Sequence, residues 1–351
     1  MRALITGGAG FIGSALTRHV VGKLGWSVLV VDKLTYAGNL TSLAPVADAP
    51  GFSFIRADIC DRAALEAMVA QAEPDIIFHL AAESHVDRSI THAAAFIETN
   101  LIGTFNVLEA ARLYWERLSK ERAGNFRLLH VSTDEVYGSL GEHGSFREDT
   151  PYDPRSPYSA SKAGADHLVS AWGHTYGLPV VISNCSNNYG PFQLPEKLIP
   201  LTILTALEGR ELPLYGDGGN TRDWLYVDDH VEALCTIALA GKLGRCYNVG
   251  GRNERTNFQV MNGICELLDR FEPKTSKHNE LIRHVADRPG HDRRYAIDAS
   301  RLESELGWRA RETFETGLER TVRWYLDNNE WWKPLRARGV GKERLGLART
   351  L

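Results

Sequence analysis

The segment RALITGGAGFIGSAL, residues 2–16, constrains the fold of this chain more than any other feature. Its pattern predicts a buried strand, a glycine-rich turn and the start of a helix. The glycines satisfy two related spacings, GxGxxG at Gly8, Gly10 and Gly13, and GxxGxxG at Gly7, Gly10 and Gly13. Glycines let the backbone turn tightly and approach a pyrophosphate, whose charge is met by unpaired amides at the helix N-terminus. The segment therefore predicts a dinucleotide-binding turn; the alternative is an ordinary strand-to-helix turn with small residues for packing.

An acidic residue follows at the spacing typical of such a turn. The second apolar run, VLVVD, ends in Asp32, 19 residues after Gly13, where a carboxylate can accept hydrogen bonds from the adenosine ribose. Because Asp32 would repel a 2'-phosphate, it favours NAD over NADP, although the neighbouring Lys33 weakens this preference. The small residues of HLAA, which ends at Ala82, leave room for a cofactor or equally well serve core packing. We predict cofactor contacts at Gly7, Gly10, Phe11, Ile12, Gly13, Asp32, Lys33, Leu34, Thr35, Asp58, Ile59, Leu80, Ala81 and Ala82.

The first 180 residues alternate short apolar runs with longer amphipathic stretches, which is typical of βαβ units and a parallel sheet. Helices are expected from the cap Asp61 to Gln71, from Ala93 to Leu118, and from the cap Ser156 to about residue 177. The expected fold class is α/β, a Rossmann-like doubly wound parallel sheet. Its strands are predicted over residues 3–6, 27–31, 52–57, 76–80, 128–132 and 180–184.

Beyond residue 188 the texture of the sequence changes, because Pro and Gly clusters interrupt shorter elements. This change predicts a second, smaller lobe that covers one end of the sheet. We expect an NAD-binding Rossmann domain over residues 1–187, to which a segment at roughly 222–251 returns. A mainly substrate-binding lobe over 188–333 and a polar C-terminal tail over 334–351 complete the expected organisation.

The composition excludes several classes of protein. The 351 residues carry a formal net charge of -4 and 43% are hydrophobic, so the chain can bury a large core and lacks the basic surface of an electrostatic nucleic-acid binder. No apolar run approaches the roughly 20 residues of a membrane span, and no signal peptide is evident. The five scattered cysteines form no CxxC pair and the histidines no HExxH, so neither disulfides nor a metal site is expected. The sequence predicts a soluble, cytoplasmic protein without nucleic-acid or membrane partners.

A tyrosine and a lysine form the first candidate catalytic pair. Of the twelve tyrosines only Tyr158 has a lysine four positions later, in YSASK, and on a helix this spacing puts Tyr158 and Lys162 on one face. A tyrosine becomes a usable base near neutral pH only when cations stabilise its phenolate, and Lys162 with a nearby nicotinamide would supply two. A surface tyrosine packed over a lysine stem is the better explanation of an isolated YxxxK. In this chain the motif follows a predicted dinucleotide-binding turn, so a catalytic role is the better explanation of it.

Two adjacent carboxylates, Asp134 and Glu135, follow a strand in LLHVSTDEVYG. The carboxyl ends of parallel strands are where such sheets bind ligands. Crowding and desolvation can raise the pKa of one of two neighbouring carboxyl groups, which leaves a neutral acid beside an ionised base. The alternative is a capping box from Ser132 to Glu135, but glycines rather than a helical apolar run follow it. We predict a catalytic group made of Thr133, Asp134, Glu135, Tyr158 and Lys162.

Together these motifs resemble the extended short-chain dehydrogenase/reductase family over nearly the whole chain. The triplet Thr133-Asp134-Glu135 is similar to that of the nucleotide-sugar 4,6-dehydratases, since epimerases of the family lack the acid pair and commonly have serine where Thr133 stands. Further segments are similar to the branch of these dehydratases that acts on dTDP-glucose. They are AAESHVDRS from Ala81, CSNNYGPFQLPEKLIP from Cys185, GNTRDWLYVDD from Gly219 and ADRPGHDRRYAID from Ala286.

The resemblance implies a reaction with catalytic NAD, in which the sugar is oxidised at C4, loses water across C5 and C6, and regains the hydride at C6. In this scheme Tyr158 is the base for the 4-hydroxyl and Thr133 supports the same oxygen. Glu135 removes the C5 proton while protonated Asp134 delivers a proton to the departing 6-hydroxyl. The product is a 4-keto-6-deoxy sugar, which implies a rhamnose or another deoxysugar route.

Further contacts and a homodimer are implied by the same resemblance. Additional cofactor contacts are implied at Ser84, Thr99, Tyr158, Lys162 and Asn188. The nucleotide-diphosphate sugar would contact Ser84, Thr133, Asn187, Glu196, Lys197, Leu198, Arg222, Asn257, Arg288 and His291. Members of the family pair through two long helices, which here are the one ending near Leu118 and the one bearing Tyr158. Tyr114 and Trp115 lie in that interface or, more simply, in the core.

Several alternatives stay open at this point. Thymidine and uridine are not distinguished by the sequence, so a UDP-glucose dehydratase is one alternative. An epimerase or decarboxylase of the same fold would share the glycine turn and YxxxK but has no use for the acid pair. A non-catalytic dinucleotide-binding sensor is an alternative of another class, against which the intact Tyr158, Lys162 and acid pair argue.

Overall fold

The computed structural model describes residues 1–287 and 292–341. Among these residues no helix is both long enough and apolar enough to cross a membrane. The strands are β1 (Arg2–Thr6), β2 (Ser27–Asp32), β3 (Phe52–Arg56), β4 (Ile76–His79), β5 (Arg127–Thr133), β6 (Val180–Cys185), β7 (Asn187–Tyr189), β8 (Leu212–Tyr215), β9 (Thr221–Tyr226), β10 (Cys246–Val249), β11 (Glu254–Thr256) and β12 (Ile282–Val285).

The helices lie between these strands and after the last of them. They are α1 (Phe11–Gly22), α2 (Arg62–Ala72), α3 (Val86–Thr91), α4 (Ala93–Phe96), α5 (Thr104–Trp115), α6 (Lys120–Asn125), α7 (Pro157–Tyr176), α8 (Leu198–Leu207), α9 (Val227–Ala240), α10 (Asn257–Phe271), α11 (Ser300–Leu306), α12 (Phe314–Asp327) and α13 (Asn329–Ala337). Short 3-10 helices lie at Leu40–Val46, Asp134–Tyr137 and His278–Leu281, and a π-helical segment spans Ile97–Gly103.

The main sheet has seven strands in the order β10-β6-β5-β4-β1-β2-β3. Each neighbouring pair is parallel, and Ala3 of β1 lies opposite Val28 on one side and Ile76 on the other. The chain moves outward from β1 through β2 and β3, then returns and moves the other way from β4. The predicted doubly wound parallel sheet is confirmed. The crevice beside the carboxyl ends of β1 and β4 lies at this reversal, where such sheets bind ligands.

Helices cover both faces of the main sheet, as the apolar strand sequences require. Successive residues of a strand point to opposite faces, so Leu4 and Ile5 of β1 enter different apolar cores. The core that contains Ile5 includes Leu16 of α1 and Leu234 of α9. The core that contains Leu4 includes Leu108 of α5, together with residues of α2 and α7. These two cores fix the strand ends relative to the helices that follow them.

A second group of elements has its own apolar core. Its three-stranded sheet has the order β11-β9-β7, and β12 pairs with β8. Tyr189 of β7, Trp224 of β9 and Ile203 of α8 are buried together with residues of α10 and α12. Because β7 follows β6 after a single residue, this second lobe begins at the carboxyl edge of the main sheet. The chain later returns to the main sheet as β10, a strand that the sequence analysis did not place.

The prediction of one helix over residues 93–118 is wrong in its continuity. The chain instead forms α4, the π-helical segment and α5, which ends at Trp115. The widened turn holds Asn100, whose side chain accepts from the Glu83 amide at 2.8 Å and donates to Ser161 at 2.8 Å. A Cβ at Gly103 would lie 2.4 Å from the Ile59 side chain. This packing and the buried amide override the regular α-helical spacing, and they tie the loop after β4 to α7.

Candidate active site

A cavity of about 310 Å³ opens at the carboxyl ends of β1, β2, β4, β5 and β6. Its other wall is the segment from Cys185 to Lys197, which leads into the second lobe. Nearly all residues predicted from the sequence to act in catalysis or to bind the cofactor line it. They are Gly7, Gly10, Phe11, Ile12, Gly13, Asp32, Lys33, Thr35, Asp58, Ile59, Leu80, Ala81, Ala82, Ser84, Thr99, Thr133, Asp134, Glu135, Tyr158, Lys162 and Asn188.

The backbone of the glycine turn is packed too closely for a side chain at two of its glycines. Gly7 has φ +72°, and a Cβ there would lie 2.6 Å from the Ala81 amide nitrogen. A Cβ at Gly13 would lie 2.1 Å from the carbonyl oxygen of Gly7. Helix α1 begins at Phe11 without a side-chain cap and without an acidic residue in its first turn. Its first amides are therefore available to an anion, and the turn fits the pyrophosphate of a dinucleotide.

Asp32 lies at the end of β2 with its carboxylate fixed by the backbone. Oδ2 accepts from the Ala9 amide at 3.0 Å and Oδ1 accepts from the Leu34 amide at 2.7 Å. Burial raises the pKa of Asp32, and these two amide hydrogen bonds oppose the rise. Lys33 is directed to Asp58, with Nζ 2.5 Å from Oδ2. The ammonium group of Lys33, which weakens the preference for NAD, is thus paired with a carboxylate. Leu34, another predicted cofactor contact, does not line the cavity and contributes only its backbone amide, which binds Asp32.

Helix α7 carries the tyrosine and lysine on one face, as the sequence predicts. Ser156 caps the helix by accepting from the Ser159 amide at 3.0 Å, and Pro157 occupies its first turn. Tyr158 is 9% exposed and Lys162 only 4% exposed, so both side chains are buried. The surface alternative, an exposed tyrosine over a lysine stem, is therefore wrong.

The electrostatic surroundings of Tyr158 keep its phenol neutral in this site. Burial raises the pKa of Tyr158 well above its usual value, and the charge of Glu135 adds to the rise. A hydrogen bond with Thr133 acts in the opposite direction. The ammonium group of Lys162 donates to the Val131 carbonyl oxygen at 2.8 Å. Ionisation of the phenol therefore depends on nearby positive charge, because the solvent cannot stabilise a phenolate here.

The two acids occupy different environments. Asp134 is 2% exposed, and burial raises its pKa well above the usual range, assisted by the charge of Glu135. The charge of Arg222 and a hydrogen bond from Thr133 only partly oppose this rise. Oδ1 accepts from the Thr133 hydroxyl at 3.4 Å, and Oδ2 has no hydrogen-bond partner among the described residues. The surroundings of Asp134 therefore favour its protonated form, and its side chain lines the cavity.

The turn that presents these acids is a 3-10 helix rather than an α-helix. Thr133 caps it, because its Oγ1 accepts from the Glu135 amide at 3.3 Å. Ser132 does not cap it, since its hydroxyl donates to Asp166 at 2.8 Å. The capping-box alternative from Ser132 to Glu135 is thus wrong in its cap residue. One hydroxyl, that of Thr133, thus contacts Oδ1 of Asp134, the backbone amide of Glu135 and the phenol of Tyr158.

Part of the expected substrate group lines the cavity. The residues that do so are Ser84, Thr133, Asn187, Glu196 and Lys197. Nζ of Lys197 donates to the Ser84 carbonyl oxygen at 3.4 Å. The Glu196 carboxylate lies 3.4 Å from the guanidinium group of Arg88. These contacts link the start of the second lobe to the loop that follows β4.

Other expected substrate contacts lie away from the cavity wall. Leu198 and Asn257 begin α8 and α10 and do not line it. Arg222 donates to the carbonyl oxygens of Thr221 and Asp292, at 2.8 and 3.0 Å, and also does not line it. Arg288 and His291 fall outside the residues that the structure describes. The roles of all five stay predictions.

The sequence analysis missed several residues of the cavity wall, among them Glu83, Cys185, Ser186, Gln193 and Leu194. Gln193 donates from Nε2 to the Asn188 carbonyl oxygen at 2.8 Å and so fixes a predicted cofactor contact. All five lie within the segments AAESHVDRS and CSNNYGPFQLPEKLIP. The resemblance of these segments was the signal for them, since nothing in their spacing marks them as ligands.

Comparison with known proteins agrees with this geometry. The family model described as GDP-mannose 4,6 dehydratase matches residues 4–321. A protein of Sinorhizobium fredii named as a probable dTDP-glucose 4,6-dehydratase is 62% identical over 347 residues, 99% of each chain. The chain belongs to the dTDP-glucose 4,6-dehydratase family.

Solved structures of this family have the same fold. The dTDP-glucose 4,6-dehydratase DesIV of Streptomyces venezuelae, with NAD and TYD bound, matches with a TM-score of 0.87 at 46% identity, covering 95% of this chain and all of that one (100%). The dTDP-glucose 4,6-dehydratase of Bacillus anthracis in complex with NAD matches with a TM-score of 0.85 at 45% identity, over 95% of this chain and 99% of that one.

Proposed function

We propose that this chain converts dTDP-glucose into dTDP-4-keto-6-deoxyglucose and uses NAD as a cofactor that is regenerated in every turnover. The observation that carries this proposal is the acid pair: Asp134 and Glu135 line the same cavity as Tyr158, and burial raises the pKa of Asp134 well above its usual range. A hydro-lyase needs a base and an acid at neighbouring carbons, and this pair provides both.

The cavity has the parts that NAD requires. The amides at the start of α1 would hold the pyrophosphate, and Asp32 would accept hydrogen bonds from the adenosine ribose. The backbone of the turn has no room for a Cβ at Gly7 or Gly13. When bound, NAD supplies a hydride acceptor that receives the hydrogen of C4 and returns it at C6. The roles of the individual residues below are proposals that rest on the geometry of the cavity.

Oxidation at C4 needs a base for the 4-hydroxyl. Tyr158 removes this proton, and the hydroxyl of Thr133 donates a hydrogen bond to the same sugar oxygen. Lys162 contributes the positive charge that a buried phenolate requires. The resulting ketone acidifies the hydrogen on C5.

Elimination of water then uses the two acids. Glu135 takes the C5 proton, and Asp134 gives its proton to the 6-hydroxyl, which leaves as water while a C5–C6 double bond forms. When the hydride returns at C6, C5 is reprotonated and the product is a 4-keto-6-deoxy sugar. Glu135 returns its proton to C5 when the hydride arrives at C6. The proton that Tyr158 took from the 4-hydroxyl replaces the one that Asp134 gave to the leaving water, so all three groups are restored at the end of the turnover.

The nucleotide diphosphate is held by the expected substrate group. Ser84, Asn187, Glu196 and Lys197 support this assignment because they line the cavity. Arg222 is proposed for the pyrophosphate because a guanidinium group donates two parallel hydrogen bonds to such an anion. Leu198, Asn257, Arg288 and His291 complete the proposed group.

Three nucleotide sugars test the proposal. The purified chain is incubated separately with dTDP-glucose, UDP-glucose and GDP-mannose, and the alkali-induced absorbance of a 4-keto product is measured. We expect product from dTDP-glucose at a higher kcat/KM than from the other two. Faster turnover of UDP-glucose or GDP-mannose would reassign the substrate, whereas bound NAD with no spectral change on adding any of them would favour a non-catalytic sensor.

A single substitution separates the dehydratase from an epimerase of the same fold. In Glu135→Gln, oxidation at C4 persists and is visible as absorbance of reduced nicotinamide, but loss of water stops. An epimerase would not need this carboxylate, so normal formation of product by the variant contradicts the assignment. The control is the wild-type protein, measured separately under the same conditions.

We further propose that the protein is a homodimer paired through α5 with its preceding π-helical segment and through α7. The exposed fractions of Ile97, Ile102 and Tyr176 are 47%, 51% and 47%, which leaves an apolar surface beside these helices. Tyr114 and Trp115 instead hydrogen-bond to the Pro74 and Ala123 carbonyl oxygens of their own chain.

Sedimentation equilibrium tests this proposal, and we expect the wild type to be a dimer and Ile102→Glu to be a monomer. A wild-type monomer at working concentration would contradict the proposal.

A further inference from the structure

A polar network lies behind the catalytic group, on the side of Lys162 away from solvent. The ammonium group of Lys162 donates to the Val131 carbonyl oxygen at 2.8 Å and lies 3.4 Å from Nε2 of His130. Neither contact gives Lys162 a negatively charged partner, because one is a carbonyl oxygen and the other an imidazole. Burial and the charge of Lys162 lower the pKa of His130 well below its usual value. A buried ammonium group is costly unless an anion compensates its charge.

Asp166 provides that anion. It lies one turn after Lys162 on α7, is 2% exposed, and places Oδ1 3.2 Å from Nε2 of His130. Its Oδ2 accepts hydrogen bonds from the hydroxyls of Ser132 at 2.8 Å and Tyr152 at 2.9 Å. Two hydroxyl donors aimed at one oxygen are the arrangement expected for an ionised carboxylate.

The same nitrogen of His130 faces both charged groups. When the imidazole proton is on Nδ1, Nε2 accepts from the Lys162 ammonium group. When the proton is on Nε2, it lies near the carboxylate of Asp166. The contact with Asp166 is close but not aligned as a hydrogen bond, and Nδ1 has no hydrogen-bond partner among the described residues. The imidazole can therefore adjust its tautomer to the charges of its two neighbours.

We propose that Asp166 is a positioning residue of the reaction, which keeps Lys162 charged through its own negative charge and through the imidazole of His130. This inference rests on the proposed function, because Lys162 matters only if Tyr158 must ionise. Asp166 does not line the cavity and touches no reacting atom.

The electrostatic effects have the direction that this role requires. Burial lowers the pKa of Lys162, and the charge of Asp166 opposes this. Burial raises the pKa of Asp166 to about 6, against the effects of Lys162 and of the Ser132 and Tyr152 hydroxyls. Near neutral pH, Asp166 is therefore ionised. Several titratable groups face Asp166. Its own helix contributes Lys162 and His167, β5 contributes His130, β10 contributes Cys246, and the segment between β5 and α7 contributes Tyr137 and Tyr152.

The experiment replaces the charge and keeps the shape, with Asp166→Asn. In the NAD-loaded protein with dTDP-glucose, kcat near neutral pH is expected to fall about tenfold to a hundredfold with KM unchanged. The alkaline limb of kcat should also move to lower pH, because Lys162 loses its proton more readily when the charge of Asp166 no longer opposes the effect of burial. Unchanged kcat with an unchanged pH profile, or a loss carried by KM, would overturn the proposal.

A matched control separates this role from simple stabilisation. Asp269 and His278 form another carboxylate–imidazole contact, 2.7 Å between Oδ1 and Nδ1, in the second lobe. Asp269→Asn removes the same charge from a similar pair and is expected to lower Tm without changing kcat or the pH profile. An equal loss of kcat in both variants would mean that only stability is at stake.

A second variant decides the question if Asp166→Asn does not fold. Tyr152→Phe keeps Asp166 but removes one hydroxyl donor, which raises the pKa of Asp166 above its value of about 6. The acid limb of kcat should therefore move to higher pH while the plateau stays the same, and an unmoved limb contradicts the proposal. Turnover by the wild type in the same assay tests the proposed function separately.

Discussion

Two buried aspartates lie near the carboxyl end of β5, and their surroundings favour opposite charge states. Asp134 and Asp166 are both 2% exposed. Asp134 accepts one long hydrogen bond, 3.4 Å from Thr133, and has Glu135 as its neighbour. Asp166 accepts two hydroxyl hydrogen bonds and lies on the same helix as the ammonium group of Lys162.

The difference shows that burial alone does not decide whether a carboxyl group holds its proton. Burial is the largest cause of the raised pKa in both residues. Donors and a cation limit the rise to about 6 for Asp166, whereas a neighbouring anion extends it for Asp134. We therefore expect Asp134 to be protonated and Asp166 to be ionised near neutral pH. The predictions below test this contrast, beginning with the largest effect.

Asp134→Asn removes the proton donor and leaves the size of the side chain. We expect kcat for the 4-keto product to fall by about two to four orders of magnitude, the usual contribution of a general acid. Oxidation at C4, followed as absorbance of reduced nicotinamide after mixing with dTDP-glucose, should continue. If Asp134→Asn and Asp166→Asn block the same step, the contrast between the two residues is wrong.

Thr133→Val removes the hydroxyl that contacts Asp134, the Glu135 amide and Tyr158. Because a hydrogen bond to a charged or developing charge contributes about 1.5–3 kcal/mol, we expect oxidation at C4 to slow about tenfold to a hundredfold. Stopped-flow absorbance in a single turnover measures this step. Thr133→Ser retains the hydroxyl and is the control, so a serine variant as slow as the valine variant would contradict the role of the hydroxyl.

The stability of the protein should depend on pH through Asp134. Its folded pKa lies above the unfolded value, so the folded state keeps a proton that the unfolded state releases. The stability that this proton provides is complete below about pH 4 and is lost as the pH rises toward the folded pKa. Asp134→Asn is therefore expected to raise Tm by a few degrees at neutral pH and not near pH 4. A Tm difference between variant and wild type that is independent of pH would contradict this.

Asp166→Asn should not show this gain in Tm, although the pKa of Asp166 is also raised. It weakens the two hydrogen bonds from Ser132 and Tyr152, whose acceptor is charged only in the wild type. Tm measured against pH for Asp134→Asn and for Asp166→Asn therefore shows whether the two carboxyl groups differ in protonation.

Much of the fold was predictable because its signals are local. The six strand segments and the caps Asp61 and Ser156 follow from apolar runs and from single residues, and the structure has them to within one residue. The break in the helix over 93–118 was not predictable, since it depends on Asn100 reaching Glu83 and Ser161 elsewhere in the chain. Strand β10 is short and lies far along the chain from β6, its partner.

The candidate site divides in the same way. The glycine turn, Asp32 and the acid pair could be predicted, because each is recognised from residue types within a short segment of sequence. Asp166 has no such signal: its partners His130 and Tyr152 approach only when β5, α7 and the intervening loop pack together. Arg222 is similar, because its backbone contacts with Thr221 and Asp292 depend on two segments that meet only in the folded chain.

Ser132→Ala is the mildest test of the contrast. Ser132 and Thr133 are adjacent on β5 and so project to opposite sides, one toward Asp166 and the other toward Asp134. Removing the Ser132 hydroxyl takes one donor from a buried carboxylate, so we expect a loss of about 1–2 kcal/mol in the free energy of unfolding, measured with urea. The rise in the pKa of Asp166 would lower kcat near neutral pH less than Thr133→Val does. A loss of kcat as large as in Thr133→Val, persisting at alkaline pH, would mean that the two aspartates act as one group.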